Sequence, residues 1–182
     1  KFPKKLTFLL TRSIKQSNEL KENINLKNFN FLSCPMLKIK AIKLTKNQIK
    51  EIKVADIIIF SSANAVSISR KYLNSFSNKV FCVGDDTKEA CLKNNIKNVS
   101  SSSGNVKDLI NLIEKKIKNK KKKIVYISAK EVAINLPFIL KTKKFFVKKI
   151  VVYESKKIKI IDKPILATIK ANQLNLFSFF SK

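Results

Sequence analysis

The most restrictive feature of this sequence is the segment 56–60 (DIIIF), whose unbroken apolar run Ile57–Phe60 is followed at once by Ser61, Ser62, Ala63 and Asn64 and then a helical pattern to Leu73. A strand that alternates apolar and polar residues needs cover on one face; a strand apolar at every position needs cover on both. The same unit recurs. Residues 79–83 (KVFCV), apolar from Val80 onward, form a second buried strand, followed by Gly84, Asp85, Asp86 and Thr87 and a helix to about Lys93. A weaker strand at 96–99 leads into a Ser-rich loop at 100–103. From Gly104 and Asn105 a helix follows, with Val106, Leu109, Ile110, Ile113 and Ile117 at helical spacing. A strand at 123–127, a helix at 131–140 and a strand at 145–153 complete the series. Strands alternating with helices in this way specify a parallel α/β sheet of the doubly wound kind.

The flanks carry a shorter version of the pattern. Residues 5–10 (KLTFLL) predict a strand, and a helix from Thr11 places Ile14, Ser17, Leu20, Lys21 and Ile24 on one face. A strand at 29–32 follows, and then 36–43 (MLKIKAIK) alternates apolar and basic residues, which suits an exposed ribbon. A helix covers 45–53. Beyond Tyr153 a second alternating basic ribbon spans 155–161, then a helix at 163–171 and an apolar strand at 174–180. Residues 175–181 (NLFSFFS) line up with 56–62, which places Ser181 on Ser62. The expectation is two doubly wound, flavodoxin-like domains joined by a two-stranded linker. One is discontinuous, 1–37 with 155–182, and incomplete at its C-terminus; the other, 38–154, is inserted into it.

Charge excludes more than it proposes. Of 182 residues, 39 are Lys or Arg and 12 are Asp or Glu, for a formal charge of +27. Only Arg12 and Arg70 are arginines, and Gly is limited to two residues. Abundant Lys, Asn, Ile and Phe with scarce Gly, Pro and Arg is the profile of an A/T-rich coding sequence, so most of the lysines read as solvated faces. A positive field would still draw an anionic partner. The absence of His removes the commonest general base and zinc ligand. Cys34, Cys82 and Cys91 have no CxxC spacing and read as buried thiols of a reducing compartment, which points to the cytoplasm. The apolar runs fall far short of the ~20 residues of a membrane helix. No GxxxxGK[ST], GxGxxG or GxSxG element is present.

In open parallel sheets, ligands meet the carboxyl ends of the strands. Here three such ends carry small polar residues and then a helix: 61–64, 84–87 and 100–105. Hydroxyls, amides and helix N-terminal N–H groups make such an edge receptive to carboxylates or phosphates. The same residues are also ordinary helix caps. Asp85 and Asp86 suit the helix dipole better than a shared metal ion. Cys82, inside an apolar strand, and Cys91 lack an activating partner.

Read in order, Leu10-Thr11-Arg12, Gln16, the PMLKI segment at 35–39, FSSANAV at 60–66, VGDDT at 83–87, SGN at 103–105, VVYES at 151–155 and FFS at 179–181 make a specific set. Together they resemble the uroporphyrinogen-III synthase family along essentially the whole chain. The resemblance implies cyclisation of hydroxymethylbilane to uroporphyrinogen III, with loss of water and inversion of ring D, by a monomeric lyase of haem biosynthesis. It implies no metal and no organic cofactor, and neither a nucleic-acid nor a membrane partner. Tyr153 matches a tyrosine that assists departure of the hydroxyl. Arg12, Ser61, Ser62, Asn64, Thr87, Asn105 and Ser181 match positions that meet the substrate's acid side chains. Ser13 stands where the family often has Pro, and Ser128-Ala129 where it often has Arg-Gly, which places a substrate contact there in doubt. Two other readings stand beside this one: a basic α/β nucleic-acid-binding module and a catalytically inactive member of the family.

Overall fold

The computed structural model describes residues 5–22, 29–73, 78–102 and 104–178. In chain order the elements are β1 (Leu6–Leu10), α1 (Ile14–Glu22), β2 (Phe29–Ser33), β3 (Leu37–Ala41), α2 (Lys46–Lys53), β4 (Ile57–Phe60), α3 (Ala63–Ser69), β5 (Lys79–Val83), α4 (Asp85–Lys93) and β6 (Val99–Ser102). They continue with α5 (Val106–Lys116), β7 (Lys123–Ala129), α6 (Leu136–Thr142), β8 (Phe146–Lys157), α7 (Lys163–Lys170) and β9 (Leu176–Ser178). Two compact units result: Lys1–Ile39 with Ser155–Lys182, and Lys40–Glu154.

In the unit spanning 40–154, β4 is buried at every position, as its unbroken apolar sequence demands. It pairs in parallel with β5 on one side and β7 on the other; β6 and β8 extend the sheet, and β3 lies beyond β8. On one face Ile57, Ile59, Phe81, Ile124, Tyr126 and Val147 pack with Leu109, Ile110 and Ile113 of α5 and Leu136 and Leu140 of α6. On the other face Ile58, Phe60, Val80, Cys82 and Ile127 are equally buried. Counted within the unit, the strand order is 3-2-1-4-5, with the direction of winding reversing between β4 and β7. This is a doubly wound order, but not the 2-1-3-4-5 of flavodoxin.

Local chemistry sets the helix ends. Thr45 and Gln48 form a reciprocal capping box at α2, with bonds of 3.2 and 2.9 Å. Asn105 caps α5 by accepting the Asp108 N–H at 2.9 Å, and Lys115 and Lys116 occupy its last turn. Gly84 and Gly104 have φ of +73° and +129°, and a Cβ at either would meet open space. Backbone conformation, not crowding, therefore calls for glycine at both positions. Elsewhere this Gly-poor chain ends helices with left-handed Asn95, Lys144 and Asn172.

The unit formed by 1–39 and 155–182 holds a parallel sheet of order β2-β1-β9. Asn175 clasps Thr7 through both its side chain and its backbone, at 2.8 and 2.9 Å. Leu9 and Cys34 pack with Ile165 of α7 on one face. Phe8 meets the rings of Phe29 and Phe31 at 5.1 and 5.4 Å between centroids.

Several expectations are corrected. Residues 100–102 are not loop but the body of β6, because the serines sit on an edge strand paired with β5. The helix expected from 131 starts at Leu136, where Asn135 caps it and Pro137, lacking an N–H, suits its first turn. Ile14, placed on the buried face of its helix, is exposed, whereas Ser17 is buried. Ile24 lies outside the described residues. The ribbon expected to begin at 155 is the continuation of β8, which runs through Tyr153 to Lys157 without a break. Leu176 and Phe177 of β9, expected to be covered on both faces, are half exposed.

The central sheet should dominate stability. Phe81→Ala, at a fully buried site, is expected to cost about 3–5 kcal/mol. Phe146→Ala, at a side chain 65% exposed, should change stability by less than ~0.5 kcal/mol. Urea unfolding of the full chain, followed by circular dichroism, measures both.

Candidate functional site

The direction of winding reverses between β4 and β7, and doubly wound sheets bind ligands beyond the carboxyl ends of their strands at such a point. Ser61 and Ser62 leave β4 there. Ser62 caps α3, its Oγ accepting the Ala65 N–H at 3.2 Å, and the same Oγ shares a 2.9 Å hydrogen bond with the Tyr153 phenol. The fold thus brings together two residues that are 91 positions apart in sequence.

A bulge aims Tyr153 at that partner. From Lys123 to Ser128, β7 pairs with β8 at a constant offset, up to Ser128 with Val151; the next pair is Ala129 with Tyr153, so Val152 is inserted. Side chains alternate across a strand, so one inserted residue reverses the face on which those that follow emerge. Tyr153 thereby joins the face of Ala129 and Ser62 and leaves that of Val147 and Tyr126. The Lys130 N–H, donating to the Tyr153 carbonyl at 2.8 Å, holds the shifted register.

Behind this pair lies Tyr126, almost fully buried in β7 and hydrogen-bonded to the hydroxyls of Ser61 and Ser128. Burial pushes its phenol above the ordinary tyrosine value. The two serine bonds pull it back, and the neighbouring Tyr153 adds to the rise. Ser128, one of the three residues at which the sequence departs from the resemblance, is fully buried; its hydroxyl also donates to the Ala129 carbonyl at 3.0 Å. The sequence reading missed Tyr126. The available signal was a residue with a polar tip in a strand otherwise buried on both faces, where a phenol needs a partner.

The remaining residues occupy neighbouring strand ends. Asn64 is exposed in the first turn of α3, and Thr87 is buried in the first turn of α4. Gly84 precedes α4 without a side-chain cap. Asn105 is exposed and spends its amide on its own helix, donating to the Asp108 carboxylate at 2.7 Å. Ser101 donates to Asp85 at 3.0 Å. Asp85, Asp86 and Asp108 lie at this edge together with Lys88, Lys107 and Lys130, so charges of both signs surround the hydroxyls and N–H groups that an incoming carboxylate would meet. Arg12 follows β1 in the other unit, half-buried. Ser181 and Ser103 lie outside the described residues, as does the 179–181 segment of the resemblance. All three cysteines are buried and reduced. Cys91 donates to Cys82, which together with burial pushes the Cys91 thiol well up and keeps it protonated. Among the described residues no group of His, Cys, Asp or Glu is placed to hold a metal ion, and no helix is long and apolar enough to cross a membrane.

Fold and site define a doubly wound α/β protein with a hydroxyl-lined switch point. The sequence matches the family model described as uroporphyrinogen-III synthase HemD over residues 18–182. The chain belongs to the uroporphyrinogen-III synthase family. Solved structures with a similar fold include a mutant uroporphyrinogen III synthase from the extremely thermophilic bacterium Thermus thermophilus, at a TM-score of 0.62 and 11% identity, covering 94% of this chain and 72% of that one. A uroporphyrinogen-III synthetase from Helicobacter pylori gives a TM-score of 0.52 at 18% identity, over 86% of this chain and 64% of that one. Wild-type T. thermophilus uroporphyrinogen III synthase gives 0.51 at 11% identity, over 94% and 71%. No curated protein sequence matches the chain.

Tyr126 makes stability depend on pH in the alkaline range. Its folded pKa lies above the unfolded value of about 10, so its contribution to stability is complete below that pH and is lost as pH rises through the folded value. Tyr126→Phe should therefore lose less stability than the wild type between pH ~9.5 and ~11. Parallel slopes in urea unfolding across that range would refute the assignment.

Proposed function

We propose that this chain cyclises hydroxymethylbilane to uroporphyrinogen III, as a monomeric, cytoplasmic lyase that needs no metal or organic cofactor. What carries the reading is the Ser62–Tyr153 hydrogen bond at the switch point, inside the span matched by the family.

The substrate's terminal hydroxymethyl group must lose its oxygen as water. Electron density from the pyrrole expels it, giving an azafulvene, and the departing oxygen takes up one proton. A phenol O–H aimed at that oxygen stabilises the charge that develops on it. Ser62 Oγ already accepts the Ala65 N–H, so its own proton can point at the Tyr153 oxygen. Such a chain polarises the phenol and strengthens it as a donor. The azafulvene carbon is then attacked by the ring D carbon that already carries the bridge to ring C, giving a spiro intermediate. The old bridge bond breaks to leave a second azafulvene, whose carbon bonds to the unsubstituted α-carbon of ring D, and loss of the proton from that carbon restores the pyrrole with the ring inverted. The rest is positioning. Ser61, Asn64, Thr87, Asn105 and the first N–H groups of α4 are neutral donors for the substrate's carboxylates, with Arg12 and Ser181 assigned to the same task. Holding a flexible chain in one geometry favours the inverted product over simple head-to-tail closure.

The test is product analysis of the full chain with hydroxymethylbilane. Type III product should dominate. Tyr153→Phe should lower kcat by about 10- to 100-fold with little change in KM, the pattern of a contact made in the transition state. Cys82→Ala and Cys91→Ala, where folded by circular dichroism, should retain activity. Type I product alone from the wild-type chain would refute the reaction. Equal losses in all three folded variants would remove Tyr153 from its role.

A further inference from the structure

The sheet of the 40–154 unit has a second lined depression, at the amino ends of its strands. A cavity of about 190 Å³ opens there, bordered by Asp56, Lys79, Lys116, Lys118, Asn119 and Lys122. Strand direction puts it at the opposite end of β4 from Ser61 and Ser62. Its floor is apolar and rigid, since Ile57 and Ile117 are both buried.

Four ammonium groups face a single carboxylate, and that carboxylate is already committed. Asp56 accepts the Lys123 backbone N–H at 2.8 Å and lies 4.0 Å from Lys122. Its own N–H donates to the Lys123 carbonyl at 3.0 Å, which locks it between β4 and β7. Lys116 reaches only a neutral oxygen, the Ser100 hydroxyl, at 2.9 Å. The Lys79 ammonium sits 5.8 Å from the Phe81 ring. Among the described residues, Lys79, Lys116 and Lys118 have no carboxylate within salt-bridge distance. Three cations are thus gathered at one cavity by the start of β5 and the end of α5, with their mutual repulsion left uncompensated by the protein.

We propose that this cavity binds a compact, multiply charged phosphate anion of the diphosphate class. Lysines act as point charges and are common binders of phosphate, and their attraction grows with the charge density of the anion. A dense polyanion relieves the repulsion, and the Asn119 amide adds a neutral donor. The cavity suits a diphosphate and is too small to enclose a tetrapyrrole. This inference is independent of the bilane reaction.

Calorimetric titration of the full chain with inorganic pyrophosphate tests it, with a short single-stranded oligonucleotide as the second arm. Pyrophosphate should bind saturably at low salt and more weakly at physiological salt. The triple variant Lys79→Gln, Lys116→Gln, Lys118→Gln should weaken binding at least ~10-fold, while Lys40→Gln, Lys107→Gln, Lys163→Gln, with the same loss of charge, should stay within ~2-fold. Should the first triple fail to fold, lysine acetylation of the wild-type chain decides the matter: pyrophosphate should protect Lys79, Lys116 and Lys118 selectively. Equal weakening in both triples, uniform protection, no pyrophosphate binding, or binding of the oligonucleotide alone would each overturn the proposal.

Discussion

Burial of β4 on both faces is the constraint from which the larger unit follows. A strand reading Ile-Ile-Ile-Phe presents no face to water, so hydrogen-bonding neighbours must flank it and helices must cover it above and below. α5 and α6 supply one layer, and the opposite layer is built over Ile58, Phe60 and Cys82. Among β4 to β8, parallel pairing makes the chain cross back between strands through a helix, so these five strands end at the same edge and α3, α4 and α5 begin there. The polar residues after the strands are collected at one edge by that topology. No attraction among them is needed.

The geometry at that edge depends on a much smaller feature. One residue inserted in β8 opposite the Ser128–Ala129 step turns Tyr153 from the face of Val147 to the face of Ser62. In regular register the phenol would point into the layer that holds Tyr126, and the 2.9 Å bond to Ser62 would not form. Bulges beside functional sites commonly re-aim a side chain in this way. The two tyrosines divide the work: Tyr126 fills a buried polar niche with Ser61 and Ser128, while Tyr153 completes the helix-capping serine.

The charge of +27 is not spread evenly in its consequences. The ion pairs Lys93–Glu89, Lys143–Glu114 and Lys148–Glu51 are solvent-accessible and add little to stability. The carboxyl edge of the sheet, where a polycarboxylate substrate would be bound, carries its own acids in the first turns of α4 and α5. Lysines outnumber acids at the amino edge, around the end of α5 and the start of β7. A field that draws anions to the protein as a whole therefore differs from the local donors that would orient one.

Much of this was legible in the sequence because it rests on local, repetitive physics. Apolar runs announced β4 and β5, the spacing of Leu109, Ile110 and Ile113 announced α5, and the only two glycines of the chain stood in the turns before α4 and α5, where the backbone takes positive φ. Motif order pointed to the family, and Ser62 and Tyr153 were both singled out. What escaped was decided by pairing between distant segments. Ser100–Ser102 became strand because β5 offered an edge, and β8 ran on past Tyr153 because β3 lay beside it. Tyr126 acquired its partners only when β4 and β7 came into register. A sequence fixes where side chains can alternate and which runs must be buried. The phase of one strand against another is a property of the assembled sheet, and a single bulge can change it, so only the tertiary structure could set Tyr153 against Ser62.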